Sequence, residues 1–88
     1  MEYKIVFRSE KIISKDFSKI PKNILNNIFL KFQELSEKWL ENSQIKKLNN
    51  YELCDYRMRV WEYRILFNFN EIKNEIIIFR VLHRSKLY

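Results

Sequence analysis

The stretch YRMRVWEYRILF, Tyr56–Phe67, sets three arginines into a pattern of period two. Tyr56, Met58 and Val60 fall on one side of an extended chain, and Arg57, Arg59 and Trp61 on the other. A second run follows at once, with Tyr63, Ile65, Phe67 and Phe69 alternating with Arg64, Leu66 and Asn68. Two adjacent strands of this kind predict an antiparallel pair with an apolar face and a cationic face. Arg57 and Arg59 then project the same way with Cα atoms about 6.6 Å apart, and Arg64 opens the next strand.

Outward from this pair, NEIKN reads as a polar turn. The chain has no glycine, so Asn70 and Asn74 are the residues expected to accept a positive φ. EIIIFRVLH is apolar on both faces, the pattern of a central or well-covered strand. Upstream, Tyr3, Ile5 and Phe7 alternate with Lys4, Val6 and Arg8 and predict a short first strand. Ser9 suits a helix N-cap, and Ile12, Ile13, Phe17 and Ile20 recur at helical spacing. Pro21 breaks that helix and suits the first turn of the next. From Lys22 to about Glu41 the apolar residues step by three and four and end with Trp39 and Leu40, a core pattern. ENSQIKKLNN carries no period and reads as a loop. The predicted fold is α+β in the order β-α-α-β-β-β: a mostly antiparallel sheet with a helical hairpin, residues 9–41, on one face.

Eighty-eight residues predict one domain, and 47% hydrophobic content suffices for one core. Seventeen Lys and Arg against eleven Asp and Glu give +6, which favours a polyanionic partner: nucleic acid, an acidic protein or an anionic surface. Cys54 is the sole cysteine, so no internal disulfide forms, as in a reducing cytoplasm. MEYKIVF lacks the apolar run of a signal peptide, and no segment has the roughly 20 apolar residues that span a bilayer. A cytoplasmic protein is expected.

The absence of glycine excludes a glycine-rich phosphate loop. One Cys and one His do not make an ordinary zinc site, and no Asp/Glu pattern suggests magnesium. No metal and no cofactor are expected. What remains is cationic and aromatic. Guanidinium groups present a planar fork that matches phosphate oxygens; the alternative is an exposed face with arginine stems lying on apolar surface. His83, the single histidine, titrates near neutrality and is either structural or catalytic. Tyr88 is either a frayed end or a stacking face for a base.

YKIVF, FSKIPKNI, KKL, YRMRVWEYRILF and the closing VLHRSKLY, in this order, resemble toxins of the RelE/ParE superfamily from type II toxin–antitoxin modules. The paired YR strands and the final HR-x-x-x-Y carry the specific part. The resemblance implies the same β-α-α-β-β-β fold. Its RelE branch implies cleavage of messenger RNA in the ribosomal A site, with the RNA 2′-OH as nucleophile and no metal. It implies a phosphate-binding role for Arg64 and transition-state stabilisation by Arg84. Tyr88 would stack on or orient the target nucleotide. Arg57 and Arg59 stand where some members carry lysine, and Lys46 and Lys47 of KKL join the phosphate-binding set. Arginine does not shed a proton near neutrality, so His83 becomes the favoured general base or acid, with Glu62 and Tyr88 behind it. Many members have glycine where Trp61 stands; the ring either stacks on RNA or covers the sheet edge. An acidic antitoxin is the implied partner. The ParE branch implies a different outcome, non-enzymatic inhibition of DNA gyrase, and a third reading is an inactive toxin that only binds its antitoxin.

Overall fold

The computed structural model describes residues 2–38, 44–49 and 51–86. Trp39, Leu40, Glu41 and Tyr88, singled out above, lie outside them. The order is β1 (Lys4–Phe7), α1 (Glu10–Ser18), α2 (Lys22–Lys38), β2 (Ile45–Lys47), β3 (Tyr56–Val60), β4 (Tyr63–Asn70) and β5 (Glu75–His83), then a 3₁₀ turn at Arg84–Lys86. The sheet runs β1-β5-β4-β3-β2; only β1–β5 is parallel. This is the expected α+β architecture with one strand added.

The addition is β2, read from sequence as loop. Three residues are too few to display period two. Ile45 supplies the only apolar side chain and pairs with Met58 on the core face. Lys46 and Lys47 leave the edge charged, which discourages pairing with another chain.

The helices form as their spacing predicts. The Ser9 side chain accepts the Ile12 N–H at 3.3 Å. The Pro21 carbonyl takes the first α2 bond, from Leu25 N at 2.9 Å. Ile13 and Ile20 from the α1 side, and Ile28, Phe32 and Leu35 from α2, face Met58, Val60, Ile65, Phe67, Ile76, Ile78 and Val81 of the sheet. Phe7, Phe17, Phe29 and Phe32 join β1 to both helices through edge-on and tilted ring contacts. Each fully buried aliphatic or aromatic side chain contributes about 1.5–3 kcal/mol.

β1 ends at Phe7, opposite Ile78, and leaves the rest of the β5 edge open. Asp16 of α1 fills part of that gap. Its carboxylate accepts the Val81 N–H at 3.1 Å and a fork from Arg80, Nε and Nη2 each at 2.8 Å. Asp16 is 3% exposed. A buried carboxylate is tolerated here because every strong contact it makes is to a donor.

One irregularity redirects side chains. Phe67 pairs with Ile78 but Leu66 with Arg80, so β5 holds one extra residue, a β-bulge. Ile76 and Ile78 face the helices before the bulge; Val81 and His83 do so after it. The two-sided apolarity of EIIIFRVLH is partly this change of parity. On the opposite face Leu66 is fully buried and Cys54 nearly so, beside the segment before β3, where Asp55 N–H donates to the Asn68 side chain.

Asn74 takes the expected positive φ, 51°. Asn70 does not; its Oδ1 accepts from Ile72 N and Lys73 N within the turn. The second positive φ is at Trp61, 56°. Trp61 is therefore not a strand residue sharing the face of Arg57 and Arg59, but the first residue of the β3–β4 turn. Among the described residues no helix is long and apolar enough to cross a membrane.

Candidate phosphate-binding site

The register of the three central strands gathers the cations. Lys46 pairs with Arg57 across β2–β3, and Arg59 pairs with Arg64 across β3–β4. Directly paired residues project to the same face. Lys46, Arg57, Arg59 and Arg64, with Gln44, line a shallow pocket of ≈ 390 Å³ on the face away from the helices. Lys47 pairs with Tyr56, whose ring stacks on Phe67 at 5.5 Å and packs against the core; Lys47 thus belongs to the other face.

Arg64 is held most firmly. Its Nη1 donates to the carbonyls of Tyr63 at 2.9 Å and Trp61 at 3.1 Å. Its Nε is buried and has no hydrogen-bond partner among the described residues. Burial pushes the Arg64 guanidinium below its ordinary value, as do Arg57, Arg59 and Arg84, while Glu62 pulls it back up. Arginine nevertheless remains a cation near neutrality. Neither Arg57, Arg59 nor Arg64 has a carboxylate within ion-pair distance among the described residues. A buried donor without an acceptor, amid unpaired like charges, favours an anion strongly.

The turn supplies the rest of the frame. Trp61 is 68% exposed, and its carbonyl is one of the two that fix Arg64. A positive φ at the first of two turn residues matches the type II′ hairpin, which prefers glycine there. Trp61 meets this backbone requirement under strain. Glu62 ties the turn to the chain end: its carbonyl accepts the Arg84 N–H at 2.7 Å, and its carboxylate pairs with Arg84 Nε at 2.7 Å. Arg84 therefore stands beside the pocket, close enough to bear on Arg64, with its charge engaged by Glu62.

His83 lies elsewhere. It pairs with Tyr63, on the helix side, while its neighbour Leu82 pairs with Arg64. The rings of His83 and Tyr63 meet edge-on at 5.3 Å. His83 Nδ1 accepts the Ser85 N–H at 3.2 Å and sits 2.9 Å from Ser85 Oγ. The structure thus assembles Lys46, Arg57, Arg59 and Arg64, sets Arg84 and Trp61 at the rim, and separates His83 and Lys47 from them. The sequence reading missed Gln44 in the lining and the tether role of Glu62. The first belongs to the unforeseen β2 region; the second depends on a contact between turns 22 residues apart in number.

The lining of the arginine pocket holds four cationic side chains and one amide, and no carboxylate or imidazole. Its chemistry is electrostatic: it can bind a phosphodiester and stabilise charge that builds on it. Among the described residues no three His, Cys, Asp or Glu side chains are grouped to hold a metal ion.

Comparison with known proteins places this geometry in a family. The family described as ParE toxin of type II toxin-antitoxin system, parDE, matches residues 10–88. The chain is similar to one in the RelB–RelE antitoxin–toxin complex from Methanococcus jannaschii. The identity there is 33%, with 94% of each chain covered and a TM-score of 0.72. It is also similar to one in the RelBE2 toxin–antitoxin complex from Mycobacterium tuberculosis, at 26% identity, covering 96% of this chain and 100% of that one, TM-score 0.79. The archaeal RelE–RelB complex from Pyrococcus horikoshii shares the fold at 20% identity, covering 98% and 99%, TM-score 0.78. No curated protein matches. The family match over residues 10–88 and the 33%-identical relative, which covers 94% of this chain, show that the chain belongs to the RelE/ParE superfamily of type II toxin–antitoxin toxins.

Proposed function

We propose that this toxin is an endoribonuclease that cuts messenger RNA at the ribosome and so arrests translation. The observation that carries the reading is the unpartnered, buried Arg64 Nε among Arg57, Arg59 and Lys46. In-line attack by the RNA 2′-oxygen on the adjacent phosphorus places extra negative charge on the phosphoryl oxygens. The P–O5′ bond breaks, the leaving 5′-oxygen takes a proton from water, and a 2′,3′-cyclic phosphate remains. Preset cations lower that barrier. A cationic lining repels a divalent cation, which supports metal-independent chemistry. The pocket lining offers no carboxylate or imidazole to act as base, so the 2′-OH proton leaves to water or to a group supplied by the ribosome. Arg84 exchanges Glu62 for the substrate phosphate and adds to the stabilisation. Tyr88 orients the target nucleotide, and Trp61 flanks it.

The partner is an acidic antitoxin, as the relatives in complex with RelB suggest. It neutralises the +6 charge in the cytoplasm. A second reading has a specific support, the matched family's ParE description: non-enzymatic inhibition of DNA gyrase.

The deciding experiment induces the toxin briefly and maps message ends by primer extension, beside a gyrase supercoiling assay. Expected are new cuts ending in 2′,3′-cyclic phosphate with supercoiling intact. Arg64→Ala should lose on the order of 10²–10³ in cleavage rate and relieve growth arrest while still folding. Inhibited supercoiling without cuts would install the gyrase reading, and a fully toxic, folded Arg64→Ala would remove the arginine pocket from the mechanism.

A further inference from the structure

The segregation of His83 leaves a second cationic concavity to account for. It lies on the helix side, where β5 runs on past the end of β1 and the chain turns into Arg84–Lys86. Lys19, Tyr63, His83, Ser85 and Lys86 line it together with the Asp16–Arg80 pair, around ≈ 390 Å³. That volume falls in the range of about 300–1,000 Å³ typical of small-molecule sites.

Its chemistry is specific. Asp16 is already matched by Arg80 and Val81 N–H, so its charge is not offered to the cavity. Lys19 and Lys86 are exposed, and neither has a carboxylate at ion-pair distance among the described residues. His83 accepts the Ser85 N–H at Nδ1. In the neutral ring this places the proton on Nε2, which becomes a donor without a partner among the described residues. Tyr63 and His83 stand perpendicular. Two free ammonium groups, an imidazole N–H and two aromatic rings form the set by which single nucleotides are held: cations for phosphate, rings and a donor for the base.

We propose that this cavity is a second nucleotide-binding subsite, which takes one nucleotide of the RNA strand with its base against Tyr63 and His83 and its phosphate between Lys19 and Lys86. The assignment rests on RNA being the substrate. The two pockets are back to back: Tyr63 and Arg64 are consecutive on β4, as are Leu82 and His83 on β5, and each pair faces both ways. A strand passing around this end of the sheet, beside Arg84, reaches both. An acidic peptide would use the lysines but leave the rings and the imidazole N–H without a role.

The test follows the His83 and Tyr63 side-chain resonances of the full chain by NMR while adenosine 5′-monophosphate or inorganic phosphate is added. The nucleotide should shift both residues and saturate at lower concentration than phosphate. The shifts should persist in Arg64→Ala, which separates this subsite from the cleavage pocket: loss of cutting with retained nucleotide binding supports the subsite alone. For a 2′-O-methylated hexanucleotide, which lacks the nucleophile, Lys19→Gln and Lys86→Gln should each reduce the salt dependence of binding by about 0.7 in the log–log slope. Three results overturn the proposal: His83 and Tyr63 signals unmoved by the nucleotide, phosphate binding as tightly as the nucleotide, or hexaglutamate shifting these signals where the nucleotide does not. Both lysines are exposed, so their variants should keep the wild-type melt.

Discussion

Arg59 and Arg64 stand directly opposite each other on β3 and β4, two guanidinium groups on one face with no carboxylate at ion-pair distance among the described residues. Like charges in this position destabilise a sheet by roughly 0.2–1 kcal/mol. Arg59→Gln should therefore raise the melting temperature at low salt, and the gain should shrink as salt screens the pair. Sulfate or phosphate should stabilise the wild type more than the variant, since an anion that binds only the folded state shifts the equilibrium toward it. Thermal melts at two salt concentrations and with added phosphate measure this. Identical melts for both proteins throughout would show that the repulsion is already relieved without an anion.

Asp16 carries a structural load that no surface pair does. Removing its carboxylate strands the Val81 N–H and leaves Arg80 without its partner. Breaking one side of a buried pair typically costs about 3–5 kcal/mol, and Arg80 is partly exposed, so Asp16→Ala is expected at the lower end. Glu34→Ala, which breaks the surface pair with Lys31, should cost below about 1 kcal/mol. Urea titrations of both variants check the contrast, and an Asp16 variant as stable as Glu34→Ala would contradict the role given to this carboxylate.

The strand parity at the start of YRMRVWEYRILF was readable because Tyr56, Met58 and Val60 alternate with Arg57 and Arg59, and with Arg64 opening the next strand it placed the three arginines together. The face of the sheet on which His83 falls was not readable, because the bulge after Ile78 inserts one residue and turns the rest of β5 over. In a run that is apolar on both sides nothing in the sequence marks such an insertion. The helical hairpin was legible from three-and-four spacing. The strand at Ile45–Lys47 was not, since its existence depends on an edge offered by β3. Trp61 was misplaced for a third reason: its left-handed backbone is imposed by closing a two-residue turn, against the preference of its own side chain.

That backbone separates two roles for Trp61. A non-glycine residue in the left-handed region costs about 1–2 kcal/mol. Trp61→Gly removes this strain and adds chain entropy, for a net gain of up to about 1 kcal/mol. Trp61→Ala keeps the strain and removes the ring. If the ring contacts RNA, both variants should cleave more slowly, yet only the glycine should melt higher. Unchanged cleavage in both would assign the ring to covering the turn.

Cys54 gives a prediction for alkaline pH. Burial pushes its thiol up from 9.0 to about 11; the nearby Asp55 charge adds to this, and backbone contacts from Tyr56 and Phe67 oppose it. The folded state thus keeps the proton that the unfolded chain releases above pH 9. Where the native state binds more protons, stability falls as pH rises. The loss should begin near pH 9 and level off above 11, at about 3 kcal/mol for a shift of this size. Cys54→Ala pays a cavity cost at every pH but lacks this titration. Lysines and tyrosines titrate alike in both proteins, so the difference between their urea midpoints isolates the thiol. The wild type should lead at pH 7 and lose most of its lead by pH 11. Parallel curves would mean that the Cys54 thiol ionises as easily in the folded protein as in the unfolded chain, and that its buried site admits water.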